Sequence, residues 1–429
     1  MVLGVIVLAA GIAVGGYFGG KALFGSDENE QPAAPAPQIV LHKAKPKSAS
    51  DLGFPAFATQ NTTRVGGTDE IDDAAGVALA SYPSTGGVPR PAAVALVPAA
   101  SWQDGVAAAS LVAQPVGAPE LIGAPDAVPP ITAQALETLS PAGSPATGGA
   151  QIFAIGSVLS PEGAKTKKVP GSDPATVAAA IARLRAKLTG GPPEHIVVTS
   201  STTAPYAMPA AAWAARSGDP VLFAGHGPPP LATLRALHHF AGTPVYVLGP
   251  PSAVSDRAFS LIKKVASGAK RVGGDDPVAN SIDFARYVDG TFGWNINDPG
   301  HGFVVANVAR PLDAGAAAAL SAAGTFGPMV LTSSATTLPP GLRGYLLDLK
   351  PGYESDPTRA VYNHVWVIGD ANTISVAVQA QLDDLAQAVK IGSASSSTSQ
   401  TPPPSKTEPN PKAVNKSQQP ATKQSPNSK

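Results

Sequence analysis

Arg64-Val65-Gly66-Gly67-Thr68-Asp69, followed by a helix-like run from Ile71 to Ser81, is the stretch from which the fold can be read. It returns as Arg271-Val272-Gly273-Gly274-Asp275-Asp276, and in a worn form as Lys168-Val169-Pro170-Gly171-Ser172-Asp173. The copies start 104 and 103 residues apart, so the chain is built from three units of roughly 100 residues each.

The segments downstream of each copy repeat as well. A first β-like run comes next: Ala93 to Val97, His195 to Thr199 and Gly302 to Ala306. A second lies at Pro119 to Ile122, Pro220 to Phe223 and Pro328 to Leu331. A third ends in glycine each time, at Gly156, Gly249 and Gly369. Ala-rich segments long enough for helices, such as Ala204 to Arg216 and Pro311 to Ala323, lie between them. Short apolar runs alternating with helical stretches predict parallel sheets covered by helices. The expected class is therefore α/β, with three tandem Rossmann-like or flavodoxin-like modules.

The 429 residues carry no net charge, but the charge is unevenly spread. Between Asp51 and Gly392 there are 21 Lys+Arg against 26 Asp+Glu, which leaves no basic face for nucleic acid. The absence of cysteine excludes disulfides, thiolate metal sites and cysteine nucleophiles.

Val2 to Gly20 has no charged residue, enough for a membrane span, and residues 1–25 are read as an uncleaved anchor. Lys21, Lys43, Lys45 and Lys47 come after it, so the positive-inside rule alone argues against export. Gly11, Gly15 and Gly19 form a small-residue face suited to helix pairing, and so to self-association. Residues 26–58 form a Pro/Ala-rich linker. The expected repeats run 59–165, 166–268 and 269–392, and 393–429 is a disordered tail with five lysines against Glu408.

The sequence contains no Gly-x-Ser-x-Gly elbow, His-Glu-x-x-His pair or Gly-x-Gly-x-x-Gly fingerprint. His238, His239 and His226 read as surface or loop histidines rather than ligands. Asp69, Glu70, Asp72 and Asp73 crowd the start of a helix, where acids complement the helix dipole, with a calcium site as the competing reading. No catalytic residue, metal or cofactor is expected. Arg64, Lys168 and Arg271 occupy the same position in each unit; they either contact polymer phosphates or staple module boundaries. Trp102 either stacks on a sugar or packs inside.

The pattern resembles the cell wall-binding repeat 2 family, bacterial surface modules usually found in threes. The likeness lies in the Arg-Val-Gly-Gly openings, in Ser101-Trp102-Gln103-Asp104-Gly105-Val106 and Leu312-Asp313-Ala314, and in the turns from Gly249 to Ser255 and Gly369 to Ser375. It covers residues 64 to 390, but the Arg-Tyr-x-Thr segment of the family is absent from all three units. The resemblance implies three modules around a pseudo-threefold axis and non-covalent attachment to an anionic cell-wall polymer. Together with the linker and the tail, it argues for an extracytoplasmic position of the repeats. Arg64, Lys168, Arg271, Trp102, Asp104 and Asp313 are the candidate contacts. The alternative is a non-catalytic extracytoplasmic scaffold that has lost the polymer.

Overall fold

The computed structural model describes residues 57–83, 90–266, 268–322 and 326–391. The expected anchor and tail lie outside them, as does nearly all of the linker. Among the described residues no helix is long and apolar enough to cross a membrane.

The chain enters through β1 (Phe57–Ala58), β2 (Thr62–Val65) and α1 (Glu70–Ser81). The first module comes next: β3 (Val94–Pro98), α2 (Trp102–Ala108), β4 (Glu120–Gly123), α3 (Pro130–Leu139), β5 (Ile152–Ile155) and β6 (Thr166–Val169). After α4 (Pro174–Thr189) come β7 (Ile196–Ser200), α5 (Ala204–Ser217), β8 (Val221–Ala224) and α6 (Leu231–His239). The second module closes with β9 (Val245–Leu248), α7 (Asp256–Val265) and β10 (Ala269–Val272). The third starts after α8 (Pro277–Arg286) with β11 (Gly302–Asn307), α9 (Asp313–Ala316), α10 (Ala319–Ala322), β12 (Met329–Thr332) and α11 (Pro340–Asp348). It ends with β13 (Gly352–Tyr353), β14 (His364–Ile368), α12 (Val376–Ala386) and β15 (Val389–Lys390).

Three sheets share one strand order. They run β4-β3-β5-β6, β8-β7-β9-β10 and β12-β11-β14-β2, with every pair parallel. Only β1, antiparallel on β2, departs from the pattern at the outer edge of the third sheet. The first strand of each module, β3, β7 or β11, is buried along its whole length, as a parallel strand covered on both faces must be.

The sequence repeat and the sheet are offset by one strand. Each strand of the Arg-Val-Gly-Gly type joins the sheet before it, whereas the helix after it packs on the next: α4 lies on β8, and α8 on β12. The same step taken from β2 closes a ring, because β2 completes the third sheet while α1 packs on β4 of the first. At the centre, α2, α5 and α9 all touch one another about the pseudo-threefold axis. Their buried faces are rich in alanine, which favours helix, with Gly105 and Gly315 where two of the axes approach.

The glycine pair in the repeat now has a cause. Gly66 and Gly273 both have φ of 120°, a value closed to other residues. A side chain at Gly66 would meet Asp73, and one at Gly273 would meet Asn280, each seven positions on. Asp73 reaches back to accept the Gly67 N–H at 2.6 Å. In the worn copy Pro170 stands in the glycine position and Val177 in the polar one, so there is no such return contact to make room for.

His195, before β7, sits between two partners: Nδ1 lies 3.2 Å from Asp219 Oδ2, and Nε2 lies 3.3 Å from Thr291 Oγ1. Asp219 also accepts the Trp213 Nε1–H and the His195 backbone N–H. The hydrogen bond to Asp219, opposed by burial, raises the His195 pKa. A raised folded-state value adds stability that is complete below about pH 6.5 and is lost as pH rises through the folded pKa. Urea unfolding at about pH 6 and about pH 8.5 should therefore show a decline that His195→Gln flattens. Asp219→Asn should cost ~1–3 kcal/mol, because it disrupts the acceptor set of three buried donors.

Candidate functional site

In an open parallel sheet, the crevice at the carboxyl ends of the strands, where the strand order reverses, is where ligands bind. In the third module that point lies between β11 and β14, since β12 is on one side of β11 and β14 on the other. A cleft of about 520 Å³ sits there. Its polar walls come from Asn307 at the end of β11, Arg310 after it, Ser333 after β12, and Asp370, Asn372 and Thr373 after β14, with Thr68 from the β2–α1 loop. The ring closure thus brings the N-terminal strand to this site.

The wall residues other than the exposed Ser333 are each fixed by a neighbour. Asn307 donates to the Thr373 carbonyl at 2.8 Å, and its side-chain oxygen accepts the Ala309 N–H. Asp370 accepts from the backbone N–H groups of Asn372 and Thr373 and from both of their side chains. Burial pushes the Asp370 pKa up, but those hydrogen bonds prevail and hold it below the usual carboxylate range. The loop is therefore a rigid frame of hydroxyl, amide and carboxylate groups around the Arg310 head.

Beneath Arg310 lie two carboxylates with fully buried side chains. Arg310 Nη2 is 2.7 Å from Asp73 Oδ2, and Nε is 3.7 Å from Asp313 Oδ2. Burial raises Asp73 to about 7, against the pull of Arg310, and pushes Asp313 well above its ordinary value. Neither oxygen of Asp313 has a donor among the fixed hydrogens around it. A proton shared between the two acids supplies one, because like charges in contact cannot both ionise in a buried site. Arg310 then balances the remaining negative charge and presents its outer edge to the cleft.

The acids at the start of α1 divide the work. Asp69 caps the helix, accepting the Ile71 and Asp72 N–H groups at 2.9 Å each. Asp72 closes the Thr68 turn, and Asp73 turns inward to Arg310. Among the described residues no group of three or more His, Asp or Glu side chains is placed to hold a metal ion.

Of the candidate contacts, two converge on this cleft, both from behind. Asp313 supports Arg310. Arg64 is buried and donates to Gln379 Oε1 and to the carbonyls of Gly369, Asp370 and Ile374, so it holds the back of the β14–α12 loop. Burial lowers its pKa to about 10, with Asp370 and Asp73 opposing the shift. Arg271, the counterpart of Arg64, bonds the Gly249 carbonyl and Asp256 in the second module. Lys168 is exposed on β6.

Asp104, the first-module counterpart of Asp313, is buried behind Gly156, and burial raises it to about 6. Trp102 packs edge-on to Phe223 at 6.0 Å across the junction of the first and second modules.

The modules differ at this point. Ser101 and Thr203 stand where the third module has Arg310, and Pro250, Ser252 and Ala253 replace Asp370, Asn372 and Thr373 in the second. The polar frame with its arginine is complete only in the third module. Sequence reading passed over Arg310, Asn307 and Thr373 because they do not repeat. The signal that could have found them was Asn307-Val308-Ala309-Arg310 directly after a strand end.

Residues 168–259 match the family described as Cell wall binding domain 2 (CWB2). No match was found among curated proteins. Two solved structures share the fold. Cwp8 from Clostridium difficile aligns with TM-score 0.58 and 19% identity over 76% of this chain and 52% of that one. Cwp6 from Clostridium difficile aligns with TM-score 0.59 and 18% identity over 80% of this chain and 51% of that one. The chain thus spans about half the length of either. At such identity the likeness is one of fold, and it extends across all three modules. The matched residues 168–259, which run from the strand joining the first two modules into the last helix of the second, are the part of the chain similar to the cell wall binding domain 2 family.

Proposed function

We propose that this is a cell-surface protein that binds cell-wall polymer non-covalently, with the third-module cleft as its principal contact. The observation that carries this reading is the pre-formed frame of Asn307, Asp370, Asn372 and Thr373 around Arg310, with Ser333 at its rim, at the strand-order reversal of a parallel sheet. Fixed hydroxyl, amide and carboxylate groups suit the hydroxyls of a saccharide, and the guanidinium suits an anionic substituent. The family match of the middle module supports the polymer class. In this reading the protein is not an enzyme. Residues 1–25 hold it in the membrane with the modules on the extracytoplasmic side, and the glycine face at Gly11, Gly15 and Gly19 lets two anchors pair.

Co-sedimentation of the full-length protein with bacterial wall sacculi, intact or acid-stripped of anionic polymer, tests this. Retention should be saturable, fall with added salt, and disappear on stripping. Asn372→Ala combined with Ser333→Ala should weaken it by roughly tenfold, by removing polar contacts at the cleft rim. Equal retention on both kinds of sacculi, or none on either, would reject the polymer reading and leave a scaffold whose partner is another protein.

A further inference from the structure

Each module places one helix pair in an equivalent position: α1 against α3, α4 against α6, and α8 against α11. Counting from the N-caps Asp173 and Asp276, Arg183 on α4 corresponds to Arg286 on α8. Counting from Pro230 and Pro339, His239 on α6 corresponds to Asp348 on α11. In the α8–α11 pair the arginine is neutralised, with Arg286 Nη2 lying 2.7 Å from Asp348 Oδ2. In the α4–α6 pair that aspartate is missing and a second arginine, Arg235, enters instead. The α1–α3 pair has Leu79 and Thr138 at the two positions, and no cation.

The α4–α6 pair forms a trough of about 470 Å³. Thr176, Ala179 and Arg183 line it along one face of α4, and Leu231, Ala232 and Arg235 line it from α6. Both arginines are exposed, and neither has an ion-pair or hydrogen-bond partner among the described residues. Asp173, the one acid in the trough, is already engaged by the Thr176 N–H, the Thr176 hydroxyl and the Ser172 hydroxyl. Lys187 lies one helical turn beyond Arg183, and His238 and His239 lie one turn beyond Arg235, all exposed. The charge of this segment departs from the rest of the repeat region. Pro174 to Val265 holds eight Lys+Arg against three Asp+Glu, within a region where acids are in excess.

We propose that this trough binds a phosphate-bearing anion, with Arg183 and Arg235 as two guanidinium forks on opposite walls. The pair selects phosphate over carboxylate for a geometric reason. The two coplanar oxygens of a carboxylate can be satisfied by one fork, whereas a phosphate carries further oxygens for a second. The apolar floor of Ala179, Leu231 and Ala232 offers no competing acceptor. The site belongs to the middle module and does not depend on the role proposed for the Arg310 cleft.

Calorimetric titration of the full-length protein with inorganic tripolyphosphate at low salt tests the proposal. Saturable binding should weaken at least ~10-fold in Arg183→Glu/Arg235→Glu. His239→Asp, which recreates the neutralised arrangement of the third module, should weaken it comparably. Arg343→Glu, which reverses an exposed cation on α11, should leave it unchanged, and so should Asn372→Ala/Ser333→Ala in the cleft. All four variants alter exposed or rim positions, and thermal melts check that each is folded. Competition by poly(glycerol phosphate) or by phosphatidylglycerol vesicles identifies a polymer or a headgroup as the source, and either supports the proposal. No binding, retention in the double reversal, or equal loss in Arg343→Glu overturns it.

Discussion

Gly315→Ala is expected to lower the unfolding free energy by ~3 kcal/mol, the upper end of the usual cost of overpacking a core. Gly315 in α9 faces Gly105 in α2 across the pseudo-threefold axis. A Cβ there would stand 2.8 Å from the Gly105 carbonyl carbon and 2.9 Å from its oxygen, and would also press on Glu120 Oε2. Backbone cannot step aside as a side-chain end can, so the helices must separate and loosen all three modules at once.

Glu120 provides the control. It is fully buried with no partner for either oxygen, and burial holds its pKa well above the ordinary value. Its charged form is therefore penalised, and the stability it leaves is complete below about pH 4.3 and declines as pH rises towards the folded value. Glu120→Met, similar in length but without polar atoms, should be neutral or stabilising near neutral pH. Combined with Gly315→Ala it should restore little, because the clash with Gly105 remains. Chemical unfolding of the two single variants and the double variant decides this; full rescue in the double variant would show that Glu120, rather than the helix approach, sets the limit.

The repeat was legible because its signals are local. The buried strands Val94–Pro98, Ile196–Ser200 and Gly302–Asn307 are apolar runs, and the Gly66 and Gly273 turns recur because a positive φ leaves few residue choices. The pairing partner of β2 was not legible. A four-residue strand carries no label for its neighbour, and β2 joins β14 some 300 positions away only because the ring has to close. The site divides in the same way. Asp313 and Arg64 were marked by repetition, but repetition marks positions the fold needs, and both turn out to support the cleft from behind. Arg310, Asn307 and Thr373 occur in one module only, so a reading built on repeats passes over them. Whether a repeated cation touches ligand or staples modules depends on burial, which the pattern of residues leaves open. Arg185 shows the stapling use, with its guanidinium donating to the carbonyls of Ala113, Gln114 and Gly218 across a module junction.

Arg310→Met should cost ~3–5 kcal/mol near neutral pH and abolish binding at the cleft. The arginine answers two buried acids, bonds the Thr68 carbonyl of the β2–α1 loop and lines the cleft, so its loss acts on stability, ring closure and recognition together. The stability loss has a pH signature. Without the cation both Asp73 and Asp313 are driven further towards their neutral forms, because only burial and mutual repulsion then act on them. Groups with raised folded-state pKa values add stability that is complete below about pH 3.9 and is lost as pH rises. The deficit of Arg310→Met relative to the parent should therefore be small at about pH 4 and grow through neutrality. Asp73→Asn/Asp313→Asn in the Arg310→Met background should remove most of that slope by removing the titrating pair. Arg310→Lys separates charge from shape: it should recover part of the stability but little of the binding, because a point charge cannot span Asp73, Thr68 and the cleft as the planar fork does. Urea unfolding across this pH range, with sacculus binding measured on the same preparations, tests each part. A deficit independent of pH would mean that Arg310 stabilises the ring through packing and the Thr68 contact rather than through the buried acids.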